Sequence, residues 1–398
     1  MRSLNPQPRK FIPFAPPWIG KEEIREVVEI LRSDWITTGP KTKRFEEDFA
    51  KFIGSPKAAA LNSGTSALHT ALVALGVGKG HGVITTPMTF CSGVSVIEWV
   101  EAEPILADID PRTLNIDPEK IETILKKSKY NRRRKMKVIL PVHFAGHPCE
   151  MDSISTLAKR YRLQMIEDAA HALPAKYKGR LIGSLGNLTA FSFYATKNMT
   201  TGEGGMLTGS SRLLEPARKL IFHGINRDAW KRYSKEGSWY YEVVAPGFKY
   251  NMMDLQAAIG IHQLRRLPGF HQRRGEIAAR YNEAFYQCEE LEIPAALPEV
   301  EPAWHLYVLR LNLDRIKISR NQFIEELKAR SIGASVHFIP IHIHPYYRKK
   351  YGYKPEDFPV AYRQYQRAIS LPLYPRMTNQ DAGRVIEAVK DILKRFRR

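Results

Sequence analysis

Ala190-Phe191-Ser192-Phe193-Tyr194-Ala195-Thr196-Lys197-Asn198, followed by Gly202-Glu203-Gly204-Gly205, is the stretch that decides the fold. An apolar run of strand length ends in a lysine, and a glycine-rich link returns the chain to a second short run, Gly205–Thr208. At a strand end an amine can be desolvated and its pKa lowered, which lets it form and exchange a Schiff base. A lone lysine says little, because most lysines are solvated. The link between Leu188–Tyr194 and Gly205–Thr208 is too short for a crossover helix, so one of these strands is expected to run antiparallel to its neighbours.

Upstream, Ala58–Leu61, Val83–Thr86, Pro104–Ile109, Val138–Phe144 and Gln164–Ile166 are short apolar runs alternating with helical patterns. Such alternation predicts a mostly parallel sheet with helices on both faces, mixed because of the returning strand. Before the sheet, Lys21–Arg32 carries Ile24, Val27, Val28 and Leu31 at helical spacing, a docking helix expected to bury that face. After Leu267 the character changes: Arg273–Tyr286 reads as a long helix, and Pro294, Pro298 and Pro302 punctuate the stretch beyond it. The expected division is therefore residues 1–35 as arm and docking helix, 36–267 as a large domain and 268–398 as a smaller α+β domain. The last of these offers a strand at His305–Leu311, a capping box at Ser319–Gln322, Gly333 just beyond that helix, and a closing helix at Gln380–Phe396.

With 398 residues, 43% of them hydrophobic, the chain can bury a large core. Cys91, Cys149 and Cys288 are scattered and odd in number, which fits neither a disulfide framework nor a metal cluster and suits a reducing cytoplasm. Pro6, Pro8, Arg9 and Lys10 interrupt the N-terminus, and no window has the uncharged length of a membrane span, so a cytoplasmic protein without stable membrane association is expected. The net charge of +20 predicts attraction to anions without choosing among them. Its densest runs, Arg132–Lys135 with Lys137 and Lys394–Arg398, read as a solvated loop and tail, and no nucleic-acid partner is expected.

Two further stretches carry chemistry. In Leu61–Leu68 a strand ends, Gly64 turns the chain and a helix begins at Thr65 and Ser66, offering unpaired N–H groups and the positive dipole end to a phosphate. The same pattern is also that of an ordinary capped strand–helix turn. In Gln164–His171 an apolar strand ends in Glu167 and Asp168. Asp168 is either a solvated charge or helix cap, or, if it points into a cleft at the carboxyl end of the sheet, the partner of a cationic heterocycle.

Taken together, Ser63–Leu68, Glu167–His171 and Phe191–Asn198 resemble, in order and wording, the DegT/StrS-type sugar aminotransferases, a branch of the fold-type-I pyridoxal-phosphate (PLP) enzymes. Trp35–Pro40, Pro87–Phe90, Pro141–His143, Phe222–Gly224, Gly247–Asn251 and Leu371–Leu373 extend the match over nearly the whole chain. The resemblance implies an α/β fold-type-I architecture: a three-layer large domain with a mixed sheet, and a smaller α+β C-terminal domain. It implies that Lys197 holds pyridoxal 5′-phosphate and shuttles a proton, that Asp168 keeps the pyridine nitrogen protonated, and that His171 neighbours the ring or its phenolic oxygen. Gly64, Thr65, Ser66 and Ser192 then form the phosphate cup, and Phe90 stacks on the cofactor unless it is a plain core aromatic. Tyr250 and His337 lie toward the sugar. Asn251 reaches the phosphate of the partner's cofactor in a homodimer.

The reaction so implied takes an amino group from L-glutamate to a nucleotide-linked 4-keto sugar. The wording of His337–His342 and His223–Gly224 is similar to enzymes making UDP-linked 4-amino sugars for cell-surface glycans and lipopolysaccharide. Amination at C3, synthesis of an aminated aromatic ring, and a non-catalytic nucleic-acid-binding regulator on the same scaffold are the competing readings. A dehydratase is disfavoured because Lys197 is present and the cysteines are scattered. His342 and His344 would share one face of a strand, but no carboxylate or cysteine completes a metal set, so they are expected only to line the entrance.

Overall fold

A computed structural model describes residues 10–127, 135–226, 239–295 and 297–398. The central sheet is built from β1 (Lys57–Leu61), β2 (His81–Thr85), β3 (Glu103–Leu106), β4 (Lys135–Ile139) and β5 (Gln164–Asp168). After a small hairpin, β6 (Lys176–Tyr177) with β7 (Arg180–Leu181), it is completed by β8 (Leu188–Ser192) and β9 (Gly205–Gly209). The strand order is β1-β9-β8-β5-β4-β2-β3. Every pairing from β8 to β3 is parallel, whereas β9 runs antiparallel to both β8 and β1, as the short glycine-rich link requires. The sheet is therefore mixed, and the architecture is that of fold type I.

The strands are apolar along their length because both sheet faces are covered. On one face Phe45 and Phe49 of α2 (Pro40–Ile53, after α1 at Lys21–Arg32) meet Phe191 and Phe193, with the Phe49 and Phe191 rings 5.2 Å apart edge to face. On the other, Leu68, Ala71 and Leu72 of α3 (Gly64–Ala74) pack on Leu61, Ile166 and Leu207.

The docking helix α1 has the expected bounds and the opposite orientation. Ile24 and Leu31 are 58% and 60% exposed, and it is Glu23 and Ile30 that are buried. Glu23 tolerates burial because its carboxylate accepts hydrogen bonds from Gln263 Nε2 and Arg266 Nη1, both at 2.7 Å. α2 starts on a residue far away in sequence. Asp254 Oδ1 accepts from Gly39 N, Thr42 N and Thr42 Oγ1, and Oδ2 from Lys41 N, so a buried carboxylate takes up the orphan donors of the helix start.

The helix expected from Arg273 begins at Asp254 and runs unbroken to Phe285, through Pro268. Leu264, Leu267 and Phe270 are buried on either side of that proline, and this packing outweighs a local breaker that the sequence alone reads as a stop. Leu264 and Leu267 belong to the core of the large domain, whereas Ile277, Tyr281 and Phe285 belong to a second core with Tyr307, Phe323 and Val385. The helix thus passes from one core to the other between Leu267 and Ile277. The second core lies against an antiparallel sheet of β10 (Leu291–Glu292), β12 (Tyr307–Leu311) and β13 (Ala368–Leu371), while β11 (Val300–Glu301) pairs back onto β6.

His342 and His344 share no strand: Ile341–Ile343 is a 3₁₀ turn between Pro340 and Pro345. His342 lines no entrance either, being fully buried with its ring 4.9 Å from that of Phe358. The basic run Arg132–Arg134 lies outside the described residues, Lys137 Nζ donates to Gly76 O at 3.1 Å, and Arg397 pairs with Glu290. Among the described residues no helix is long and apolar enough to cross a membrane, and no group of three or more His, Cys, Asp or Glu is placed to hold a metal ion.

Candidate active site

The parallel pairing of β5 with β8 sets Asp168 opposite Ala190, and the chain leaves β8 at Ser192 into a compact turn. Lys197 N donates to Tyr194 O at 2.9 Å, and Thr201 N and Thr200 Oγ1 both donate to Phe193 O. This turn brings Lys197 back toward Asp168. Burial pushes the Lys197 amine down to about 8, against the opposing pull of the Asp168 carboxylate. Asp168 is buried at the sheet's carboxyl end. Burial raises its pKa, against the bond from Ala170 N to Oδ1 at 3.0 Å and the charge of Lys197. The site therefore holds both groups closer to neutrality than water would.

Behind Asp168 the alternation of β5 sends Glu167 to the other face, where it is fully buried. His143 Nδ1 accepts from Cys149 N at 3.0 Å, which leaves the proton on Nε2 to be donated to Glu167 Oε2 at 3.1 Å. The backbone of the same His143 donates to Asp168 O at 3.0 Å.

Three further histidines surround the amine. His171 is buried, its Nδ1 has no hydrogen-bond partner, and burial together with the Lys197 and His337 charges holds it well below the usual imidazole range. Its ring lies 4.2 Å from that of His305 and 5.6 Å from that of Phe338. His305 is held by Asn198: Nδ2 of that amide donates to Leu173 O and Ala303 O, so Oδ1 is the acceptor and His305 Nδ1 carries the proton. His337 makes a 2.8 Å hydrogen bond through Nδ1 with Ser370 Oγ, and burial beside Lys197 depresses it to about 4. Phe90 is 59% exposed, which removes the core-aromatic alternative and leaves a flat apolar face free for stacking.

At the start of α3, Ser63 and Ser66 cap each other: Ser66 N donates to Ser63 Oγ at 3.0 Å and Ser63 N to Ser66 Oγ at 3.1 Å. Ser66 Oγ also bonds Asn62 Oδ1 at 2.7 Å, so this hydroxyl is spent on the turn and does not stand free for a phosphate as its place in the motif suggests. The first-turn amides of Gly64 and Thr65 remain for an external anion. Gly64 is required by packing, since a Cβ there would lie 2.9 Å from Ser192 Cβ. The absence of that side chain puts the helix start directly against the end of β8.

Tyr250 O accepts from Asn62 N at 2.7 Å beside the start of α3, but the side chains of Tyr250 and Asn251 are engaged elsewhere than at Lys197. Asn251 bridges Leu61, Leu61 pairs with Gly205, and Gly205 pairs with Ser192, so three inter-strand steps, about 14 Å, separate Asn251 from the end of β8. Tyr250 is turned toward α3, where its hydroxyl lies 3.1 Å from His69 Nδ1 and its ring stacks on Phe248. Asn251 takes the other side and donates to Thr38 Oγ1.

The model of the DegT/DnrJ/EryC1/StrS aminotransferase family matches residues 17–390. The chain belongs to this family. An uncharacterized protein of Methanocaldococcus jannaschii is 54% identical over 97% of this chain and 99% of its own. Spore coat polysaccharide biosynthesis protein SpsC of Bacillus subtilis is 51% identical over 96% of this chain and 97% of its own. Among solved structures, the putative sugar aminotransferase Spr1654 of Streptococcus pneumoniae in its PMP form superposes with a TM-score of 0.89 at 35% identity, covering 96% of this chain and 99% of that one, and its PLP form with 0.88.

As a DegT/DnrJ/EryC1/StrS aminotransferase the chain should accommodate a phosphorylated pyridine aldehyde, and its residues fit one. Lys197 has an amine of lowered pKa, Asp168 is a buried carboxylate, His171 Nδ1 is an orphaned polar atom, and Gly64–Thr65 opens a helix whose first-turn amides could take a phosphate. Reasoning from sequence misses Asn198 and His305. Asn198 stands in the lysine motif without a role, and His305 reads only as the start of a strand; the signal for both is proximity across 107 residues of chain.

Proposed function

We propose that this enzyme transfers the amino group of L-glutamate to a nucleotide-linked 4-keto sugar, with UDP as the nucleotide, giving a 4-amino sugar for polysaccharide biosynthesis. The observation that carries the reading is the half-buried Lys197 amine, depressed to about 8 beside the buried Asp168 carboxylate. PLP is the cofactor, and when bound it supplies an electron sink for the carbon that loses its proton. Lys197 is the group that takes and returns that proton, because an amine titrating near neutrality both accepts and donates under working conditions. Asp168 holds a proton on the pyridine nitrogen. The Gly64 and Thr65 amides with Ser192 hold the phosphate, Phe90 covers one ring face, and His171 sits beside the ring. His337, with Nδ1 committed to Ser370, offers Nε2 to the sugar. The named role of SpsC, a relative in spore coat polysaccharide biosynthesis, supports the pathway class.

The reading includes a two-fold dimer in which Asn251 reaches the partner's cofactor phosphate. Supporting it, Asn251 lies about 14 Å from the end of β8 in its own chain. Asn251 also lines an open groove of ≈ 940 Å³ with Thr38, Arg218, Lys219 and Lys249, and the apolar stripe Ile24, Val28 and Leu31 is left uncovered. Incubating the enzyme with glutamate and a panel of nucleotide 4-keto and 3-keto sugars, read by mass and by NMR of the product, tests the reaction. Product aminated only at C3 would refute the 4-keto assignment.

A further inference from the structure

The residues before α1 belong to none of the motifs that define the site, yet the fold carries them into it. Ile12 N donates to Ser331 O at 2.9 Å, and Gly333 N donates to Ile12 O at 2.8 Å, a parallel bridge that pins the arm in a single register. Ile12 is buried in the second core. Gly333 makes the contact possible: a Cβ there would lie 3.1 Å from Phe14 N and 3.2 Å from Ile12 O. Two residues beyond Ile12, the ring of Phe14 stacks on His337, with centroids 5.4 Å apart and planes inclined by 23°.

His337 is thereby constrained from several directions. Ser335 and Ser370 exchange backbone hydrogen bonds at 3.1 and 2.8 Å, which fixes the segment, and Ser370 Oγ engages Nδ1. Phe338 packs edge-on against the imidazole at 5.2 Å and stacks in turn on His171. Aromatic rings so form a continuous strip from His171 at the centre of the site, through Phe338 and His337, to Phe14 on the arm.

We infer that Phe14 is a positioning residue for the acceptor substrate: by closing one face of the His337 ring it fixes the direction in which Nε2 meets a hydroxyl of the keto sugar. The inference rests on the function proposed above. Phe14 reaches His171 only through His337 and Phe338, by ring contacts of 5.2 to 5.6 Å, and its ring touches the residue proposed to meet the sugar. The arm therefore acts on the larger acceptor and leaves the donor half of the reaction alone.

The test measures the two half-reactions separately in the holoenzyme: glutamate converting the PLP form to the pyridoxamine phosphate form, and the keto sugar converting it back, each by absorbance. Phe14→Ala should lower kcat/KM of the acceptor half about five- to tenfold, the range of one aromatic pair, while the donor half changes less than twofold. Phe14→Tyr, which keeps the ring, should restore the acceptor rate, and Phe14→Leu, which keeps only bulk, should not. Independently of any substrate, diethylpyrocarbonate should modify His337 faster in Phe14→Ala than in wild type, read by peptide mass. Equal modification rates, an unchanged acceptor half, or an equal fall in both halves would overturn the inference while the proposed function stands. A wild-type pyridoxamine form that reacts with no keto sugar in the panel removes that function, and the inference with it.

Discussion

Asn198 Oδ1 lies 3.1 Å from His305 Nδ1, so the residue next to Lys197 is also the clasp that fastens the Lys197 turn to the segment entering the second domain. Its amide nitrogen donates to Leu173 O at 2.8 Å and to Ala303 O at 2.7 Å, and all these groups are buried. Replacing Asn198 with Ala strands Leu173 O and an imidazole N–H and takes one donor from Ala303 O, which keeps His271. The expected cost is about 2–4 kcal/mol, in the range for two orphaned buried groups. Denaturant unfolding measures it, and an unchanged midpoint would mean that the clasp contributes nothing.

Lys197→Ala should abolish turnover by far more than the loss of one contact, since the anchor for the cofactor and the proton carrier leave together. A variant with near-normal rate would sink the assignment.

The depressed amine also gives a pH signature in cofactor-free protein. Below about pH 8 Lys197 is protonated in both states, and the folded chain bears the cost of burying the charge. Between about 8 and its ordinary 10.5 the unfolded chain binds more protons, so stability rises with pH across that window. Lys197→Met should flatten the rise by roughly 3 kcal/mol at most, the equivalent of the shift. Parallel stability curves for the two proteins from pH 8 to 10.5 would show that the amine is not desolvated.

For Asp168→Asn, cofactor should still bind, because the phosphate site and Lys197 are intact, while kcat falls on the order of 100-fold or more for want of a charge holding the pyridine proton. Steady-state kinetics at saturating PLP provide the check. Unchanged kcat would assign Asp168 another task.

Mixing and refolding equal amounts of Lys197→Ala and Asn251→Ala chains tests the shared site. Random pairing makes about half the dimers mixed, each with one intact and one doubly damaged site, so activity should recover toward roughly a quarter of wild type at limiting PLP. If Asn251 served its own chain, every site in a mixed dimer would carry one defect, and activity would not recover.

How much of the molecule is legible in its sequence can be judged from single residues. The chain order of strands and helices, the antiparallel return of β9 and the placement of Asp168 at a strand end are legible, because each derives from local periodicity or link length, whereas Lys197 lies in a turn five residues past the end of β8 and not at the strand end itself. Lys21–Arg32 is legible as a helix but not as an oriented one: its apolar stripe points outward, and Glu23 is buried because Gln263 and Arg266 wait for it. Ser66 reads as a phosphate ligand, whereas its hydroxyl is engaged by Ser63 and Asn62 within its own turn.

By itself, then, the sequence determined the elements, the mixed sheet and the pair of groups at its carboxyl edge, all set by interactions within a few residues or by the length of a link. Only the tertiary structure decided that Pro268 lies inside a helix, that Tyr250 and Asn251 part to opposite sides, and that Asn198, His305 and Phe14 enter the site. Those outcomes depend on burial and on contacts between residues tens to hundreds of positions apart, and free energies of that kind exist only once the chain has closed on itself.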